Sequence, residues 1–165
     1  MTDDHTHAAG PERQQPNAFD TLRPGQTFTT ANLTVTLDAM KAFAAQFDPQ
    51  PMHLDEDAAR ASFFGELIGS GWHTAALTMK LVVEARLLGP TPLVGVSVDH
   101  MRFKHPLRPN DRIHAVIEVT NKRPSTSPDR GYASLKVTTM TDNDTVLMTQ
   151  QWTILVPRCD TRDTA

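Results

Sequence analysis

The chain has 165 residues, of which 39% are hydrophobic and 21% charged, a composition typical of one globular domain with its own apolar core. A formal net charge of −3 and a pI near 6.1 give no reason to expect a nucleic acid or an acidic membrane as a partner. The single cysteine, Cys159, excludes an internal disulfide and a cysteine-based metal site. We expect a cytoplasmic protein without a transmembrane helix, because no run of 18 apolar residues occurs.

The two ends of the chain are polar. We expect residues 1–18 to form a disordered arm and residues 159–165 a disordered tail, with one domain over 19–158 between them. The arm contains His5 and His7, and we expect their side chains to be solvated and not to bind a metal.

The first half of the domain predicts a short strand and two helices. LTVTL at 33–37 is the strand, and the three- and four-residue spacing of apolar side chains over 38–47 predicts an amphipathic helix capped by Asp38. Pro49 prevents this helix from continuing, and the Pro-x-Pro sequence indicates a stiff connector. A second, short helix follows, with Asp55 as the N-cap and Gly65 at its end.

A third helix is predicted from Trp72 to Leu88, stopped by Gly89 and Pro90. Its apolar side chains lie on nearly every face, which indicates burial on all sides. The second half of the chain alternates apolar and polar residues and predicts four long antiparallel strands. Their inward-facing residues are Ile113, Ala115, Ile117 and Val119, then Ala133, Leu135 and Val137, then Val146, Met148, Trp152, Ile154 and Val156. In the first of the four strands the alternation slips between Val98 and Met101, which a β-bulge or burial on both faces would explain. The pattern is that of an α+β fold, a sheet curled around one helix.

The stretch FDPQPMHLDEDAARASFFGELIGSGWHT at 47–74 resembles the signature of the MaoC-like dehydratases, the (R)-specific enoyl-CoA hydratase group of the hot-dog fold. The Asp48–His53 spacing of five positions is the specific part of the match. MRFKHPLRPNDRI at 101–113 also resembles a strand of that family. Further matching residues are Pro51, Met52, Asp55, Ala58, Ala59, Phe64, Gly65, Ile68 and Gly71.

This resemblance implies a hot-dog domain, an antiparallel sheet wrapped around a long central helix, and a reversible hydration of an enoyl-CoA or dehydration of a 3-hydroxyacyl-CoA. It implies that Asp48 and His53 act together on water and that the Gly71 N–H binds the thioester oxygen. Gln50 replaces the usual Asn, and Ser70 replaces the usual His. Met79 stands close to the sequence position at which the family often carries a serine. Candidate substrate-binding residues are therefore Gln50, Ser70, Trp72, His73 and Met79, with core packing as the alternative for Trp72, His73 and Met79.

The residues fit this chemistry on physical grounds. A histidine titrates near neutrality and a neighbouring carboxylate sets its tautomer, so Asp48 and His53 can share both proton transfers. The N–H of Gly71 at a helix start favours negative charge, and a residue without Cβ lets substrate approach the backbone. Read separately, Asp48 could brace its turn and His53 could be a packed loop histidine. No third ligand supports a metal at His53 and Asp55.

Two other functions stay open at this stage: a hot-dog thioesterase that hydrolyses the acyl-CoA, and a non-catalytic acyl-thioester-binding subunit. We expect no metal and no cofactor beyond the coenzyme A of the substrate, a role in fatty acid metabolism, and a homodimer, since hot-dog subunits usually pair. Arg102, Lys104 and Arg108 form a basic run for which a solvated face and a coenzyme A phosphate contact are the two interpretations. His100, His105 and His114 are expected to face solvent.

Overall fold

The computed structural model describes residues 19–89 and 91–158, so the predicted arm, tail and Pro90 stop lie outside the described residues. Ten elements follow one another along this part of the chain. The helices are α1 Leu37–Phe47, α2 Pro51–Leu54, α3 Glu56–Arg60 and α4 Gly71–Glu84, and the strands are β1 Thr27–Thr29, β2 Leu33–Thr34, β3 Val94–Phe103, β4 Arg112–Pro124, β5 Arg130–Thr141 and β6 Val146–Pro157.

The strands form one antiparallel sheet in the order β1-β4-β5-β6-β3, with β2 also paired to β4. The four long predicted strands are therefore confirmed. The alternation of β4, of β5 and of most of β6 holds as predicted, because Ile117, Val137 and Ile154 are buried on the inner face. At the start of β6 it was wrong, since Leu147 is buried and Val146 is only half-buried. Val82 of α4 belongs to the same core cluster, so the sheet packs around this helix and the predicted hot-dog fold is confirmed.

The slip in apolar parity within β3 coincides with an irregularity of the strand. The pairing of β3 with β6 shifts register between Asp99 and Arg102, and His100 between them adopts a positive φ of 51°. A residue in this conformation interrupts the two-residue period of a strand. The slip in apolar parity therefore reflects an irregular backbone rather than burial on both faces.

Four local predictions were wrong in their boundaries. Helix α1 starts at Leu37 with Thr36 as its N-cap, whose hydroxyl accepts the Ala39 N–H, so Asp38 lies in the first turn instead of at the cap. Strand β2 is correspondingly shorter than the predicted 33–37. Helix α4 ends at Glu84 because Arg86 takes a left-handed φ of 48°, and Leu88 packs into the core from the turn that follows. The Asp55 cap is confirmed, since Asp55 accepts the Ala58 N–H at the start of α3. The predicted end of this helix at Gly65 was wrong, because α3 ends at Arg60 and turns follow it.

Helix α4 is not covered on all sides by its own chain. Its inner face, with Thr74, Thr78, Leu81 and Val82, is buried. Its opposite face leaves Trp72 60% exposed and Val83 51% exposed. The all-apolar composition therefore reflects a second surface of the helix that the described chain does not cover.

Candidate active site

The Pro-x-Pro stretch joins two helices, with Asp48 at the end of the first and His53 in the last turn of the second. Helix α1 ends at Asp48, which has an extended backbone. Pro51 then occupies the first position of α2, where its missing N–H costs nothing and its fixed φ suits a helix. The single turn of α2, which the sequence did not predict, turns His53 back toward Asp48. The stiff connector thus orients both side chains.

The His53 ring faces Asp48 with a defined nitrogen. His53 Nδ1 lies 2.9 Å from the Ile68 carbonyl oxygen, and Nε2 lies 3.5 Å from Asp48 Oδ2. A carbonyl oxygen only accepts hydrogen bonds, so Nδ1 carries the hydrogen and the neutral ring presents its Nε2 lone pair to the carboxylate. The ring is 4% exposed, which leaves it no alternative partner in bulk water. The pair therefore offers two acceptor atoms to one molecule placed between them.

The carboxylate of Asp48 is held by two donors. Ser70, the N-cap of α4, donates its hydroxyl to Oδ2 at 2.6 Å, and the Gln50 amide donates to Oδ1 at 2.8 Å. These two hydrogen bonds, the Ser70 one foremost, hold the pKa of Asp48 below its ordinary value, against a smaller opposing effect of burial. A charge on His53 lowers this pKa a little further. Asp48 is therefore a carboxylate with a fixed orientation.

Gly71 is the first residue of α4, so its N–H has no acceptor within the helix and lies at the positive end of the helix dipole. The space where a Cβ would stand is taken by the Phe103 ring, whose nearest atom would be 2.7 Å away. The absence of a side chain thus admits Phe103, and not the open approach of a substrate expected from the sequence.

A cavity of about 350 Å³ opens beside these groups. Asp48, His53 and Gly71 lie in its wall together with Gln50 and Trp72. The rest of the lining is mostly apolar: Met52, Phe64, Ile68, Gly69, Thr74, Phe103, Pro106, Leu107 and Leu147, with Lys104 and His105 as the basic members. The structure therefore brings the predicted catalytic residues to one concave, largely apolar site.

Other predicted substrate contacts lie elsewhere. His73 is buried and stacks on Phe43 with ring centroids 4.6 Å apart, and Met79 lies farther along α4; neither is in the wall of this cavity. Ser70, which is completely buried, contacts Asp48 and is not part of the cavity wall. Burial lowers the pKa of His73 from its ordinary value of 6.5.

The basic run divides. Arg108 binds Glu66 through Nε and Nη2 at 2.8 Å, whereas Lys104 lies in the cavity wall. His105 also lies in that wall, and its Nδ1 is 2.7 Å from the Val146 carbonyl oxygen. His105 is exposed, as expected from the sequence, but no local pattern predicts that it also borders the cavity. Only the turn between β3 and β4 brings it to the site.

Within residues 19–89 and 91–158, no group of three or more His, Cys, Asp or Glu side chains is placed to hold a metal ion. None of the helices in the same ranges is long and apolar enough to cross a membrane.

Comparison with known proteins decides the family. The sequence model of the MaoC like domain matches residues 19–141. The chain belongs to the MaoC-like domain family. A solved structure of a family member, the MaoC-like dehydratase of Rhodospirillum rubrum, is 38% identical, with a TM-score of 0.83 over 87% of this chain and 98% of the other.

Two sequence relatives of this MaoC-like chain have curated names. The protein YdeM of Bacillus subtilis is 32% identical over 85% of the chain and 99% of its own length. The (R)-specific enoyl-CoA hydratase of Rhodospirillum rubrum is 27% identical over 84% of the chain and 91% of its own length. The resemblance stated from the Asp48–His53 motif is thereby confirmed at the level of the family.

Proposed function

We propose that the protein is a hydro-lyase that adds water reversibly to the double bond of an enoyl thioester. The single observation that carries this proposal is the facing pair of His53 Nε2 and Asp48 Oδ2, 3.5 Å apart in the wall of a cavity. Such a pair accepts two hydrogen bonds from one water molecule, which fixes the water and directs its oxygen lone pair away from the protein. Support comes from the family and from the relative named as an (R)-specific enoyl-CoA hydratase.

The hydration step balances with the groups at this site. The water oxygen forms a bond to the β-carbon as one water O–H bond breaks, and the released proton goes to the Asp48–His53 pair. The electron pair of the double bond moves toward the thioester oxygen, where the Gly71 N–H donates to the developing negative charge. The pair then gives a proton to the α-carbon. Dehydration is the same sequence in reverse.

The cavity supports an acyl thioester as substrate. Its polar groups lie together at Asp48, Gln50 and His53, and the remaining wall is mainly hydrophobic. An acyl chain can bury apolar surface there at about 25 cal/mol per Å² while its thioester reaches Gly71. Lys104 in the same wall supplies a positive charge, which suits the phosphates of coenzyme A.

We also propose that two copies of the chain form a homodimer through β3 and the outer face of α4. Among the described strands β3 pairs with β6 alone, which leaves its other edge unpaired. Val94, Val96 and Val98 of this strand are each about half exposed. A long apolar edge is stable in solution when another strand covers it. Trp72 and Val83 on α4 would be buried in the same contact.

The test is a panel of enoyl-CoA thioesters of increasing chain length, followed by the loss of absorbance of the conjugated thioester. We expect turnover by the wild type and a loss of roughly 10²- to 10⁴-fold in kcat/KM for His53→Ala, since a positioned proton transfer contributes that much. His114→Ala is the matched control, because His114 lies on β4 outside the cavity wall. A wild type that is inert on every member would refute the proposal.

The same assay separates the other two functions. Release of free coenzyme A thiol at the rate of substrate loss would identify a thioesterase, because hydration leaves the thioester bond intact. Binding of the thioester with no turnover, unchanged by Asp48→Asn, would identify a non-catalytic subunit.

A further inference from the structure

The two carboxylate oxygens of Asp48 are both already engaged. Gln50 donates to Oδ1 and Ser70 to Oδ2. A protonated carboxyl group is neutral and a weaker acceptor than a carboxylate, so the hydrogen bonds from Gln50 and Ser70 would no longer be strengthened by the charge. Protonation of Asp48 therefore weakens both of these hydrogen bonds, and it also removes the attraction between the carboxylate and a charged His53.

The hydroxyl of Ser70 has little freedom to adapt. Ser70 is completely buried, and its Oγ accepts the Trp72 N–H at 3.2 Å as the cap of α4. Its own hydrogen points to Asp48 at 2.6 Å, a distance typical of a hydrogen bond to a charged oxygen. A protonated Asp48 would offer this buried hydroxyl a neutral and weaker acceptor in place of the charged oxygen that it has in the structure.

The situation of His53 Nε2 is the opposite. Its Nδ1–H is committed to the Ile68 carbonyl, and Nε2 holds a free lone pair in the neutral ring. A proton on Nε2 would point toward Asp48 Oδ2 at 3.5 Å and would be stabilised by the carboxylate. Protonation of this nitrogen adds an attraction and breaks no hydrogen bond.

We infer that Ser70 and Gln50 are positioning residues that hold Asp48 as a stationary carboxylate, so that His53 Nε2 alone takes the proton from water and returns it to the α-carbon. This assignment rests on the proposed hydration, and it divides the work of a pair that the sequence left undivided. Asp48 orients the water and stabilises the imidazolium. It gives Ser70 and Gln50 a role at the site, since each supplies a donor to the carboxylate.

The first test needs no substrate. Carboxyl carbon NMR follows the titration of Asp48 in the wild type, Ser70→Ala and Gln50→Met, and nitrogen NMR identifies the tautomer of His53. We expect the pKa of Asp48 to rise in both variants, because each removes a hydrogen bond that lowers it, and we expect the Nδ1–H tautomer of His53. His53 is the titratable group that faces Asp48, and Lys104 and His105 share the cavity. None of these three residues is substituted in the variants, so a change in the titration of Asp48 reports the hydrogen bond that is removed.

Ser62→Ala is the matched control. The Ser62 hydroxyl also makes a hydrogen bond close to a helix end, which it donates to the Ala59 carbonyl, and Ser62 lies outside the cavity wall. Removing this hydroxyl should leave the titration of Asp48 as it is in the wild type. Ser70→Ala also removes a helix cap and lowers stability. Gln50→Met keeps the test valid if that variant does not fold, since Gln50 is exposed and makes no cap hydrogen bond.

Kinetics supply the second test. We expect kcat to fall about 10- to 100-fold in Ser70→Ala, the loss that corresponds to one hydrogen bond to a charged group, with KM within about twofold. An unchanged Asp48 pKa in both variants, or a neutral His53 with its hydrogen on Nε2, would overturn the assignment whether or not the protein hydrates enoyl thioesters. An inert wild type with the expected titrations would instead reject the hydration while leaving the stationary carboxylate supported.

Discussion

Replacing Asp48 with asparagine removes the charge of the carboxylate and nearly nothing else. The asparagine oxygen can accept the Ser70 hydroxyl as Oδ2 does, and its amide nitrogen then faces Gln50. Gln50 is exposed, so its amide can rotate and present its oxygen instead of its nitrogen. The variant should therefore keep the fold and the Ser70 contact, and the change in activity should report the charge.

The size of the effect follows from the distance between the two groups. A carboxylate 3.5 Å from an imidazolium gains about 1 kcal/mol at the dielectric constant of water and about 5 kcal/mol at an effective value near 20. The Asp48 side chain is 17% exposed and borders an open cavity, so solvent screening places the effect in the lower half of this range. A loss of roughly 1.4 to 2.8 kcal/mol corresponds to a fall of about 10- to 100-fold in kcat/KM.

The assay compares Asp48→Asn with His53→Ala on the same enoyl-CoA thioester. If His53 carries the proton and Asp48 only stabilises the charge, Asp48→Asn should retain more activity than His53→Ala. Asp55→Asn is the matched control, because it makes the same change of charge at the cap of α3. An Asp48→Asn enzyme as inactive as His53→Ala, with the fold intact, would show that the carboxylate itself transfers the proton.

Three further predictions concern the rest of the molecule. Burial lowers the pKa of His73 below its ordinary 6.5, so as the pH falls the unfolded chain binds this proton before the folded protein does. The free energy of unfolding should therefore decrease below about pH 6.5. Between about pH 7.5 and pH 5, the urea midpoint should fall less in His73→Phe than in the wild type. Gly71→Ala keeps the N–H but places a Cβ 2.7 Å from the Phe103 ring, so kcat/KM should fall at least about 10-fold. Adding Phe103→Ala to this variant should reverse any loss of thermal stability. A Gly71→Ala enzyme with full activity would contradict this prediction. Val98→Lys puts a charge on the exposed edge of β3, and light scattering after size exclusion should report a monomer where the wild type is a dimer; a Val98→Lys dimer would place the interface elsewhere.

Local sequence was sufficient for much of the fold. The two-residue alternation of β4, β5 and β6 depends only on which side of a strand each residue lies, and Ile113, Val137 and Ile154 are buried as predicted. The cap at Asp55 and the irregularity between Val98 and Met101 were visible for the same reason, since both are properties of a few consecutive residues. The boundaries of α1 and α4 were not visible, because Thr36 and Asp38 are both competent caps and the left-handed Arg86 follows no local pattern.

The amino-acid sequence by itself determined the long strands, the central helix, and the family motif that singles out Asp48, His53 and Gly71. Only the tertiary structure decided what these residues contact. The Ser70 hydroxyl reaches Asp48 across 22 positions of the chain, and the Ile68 carbonyl reaches His53 across 15. His105 joins the cavity from the turn between β3 and β4, and Leu147 joins it from β6. Such contacts join segments whose separation exceeds any local period, and their hydrogen bonds form only once packing has brought the segments together.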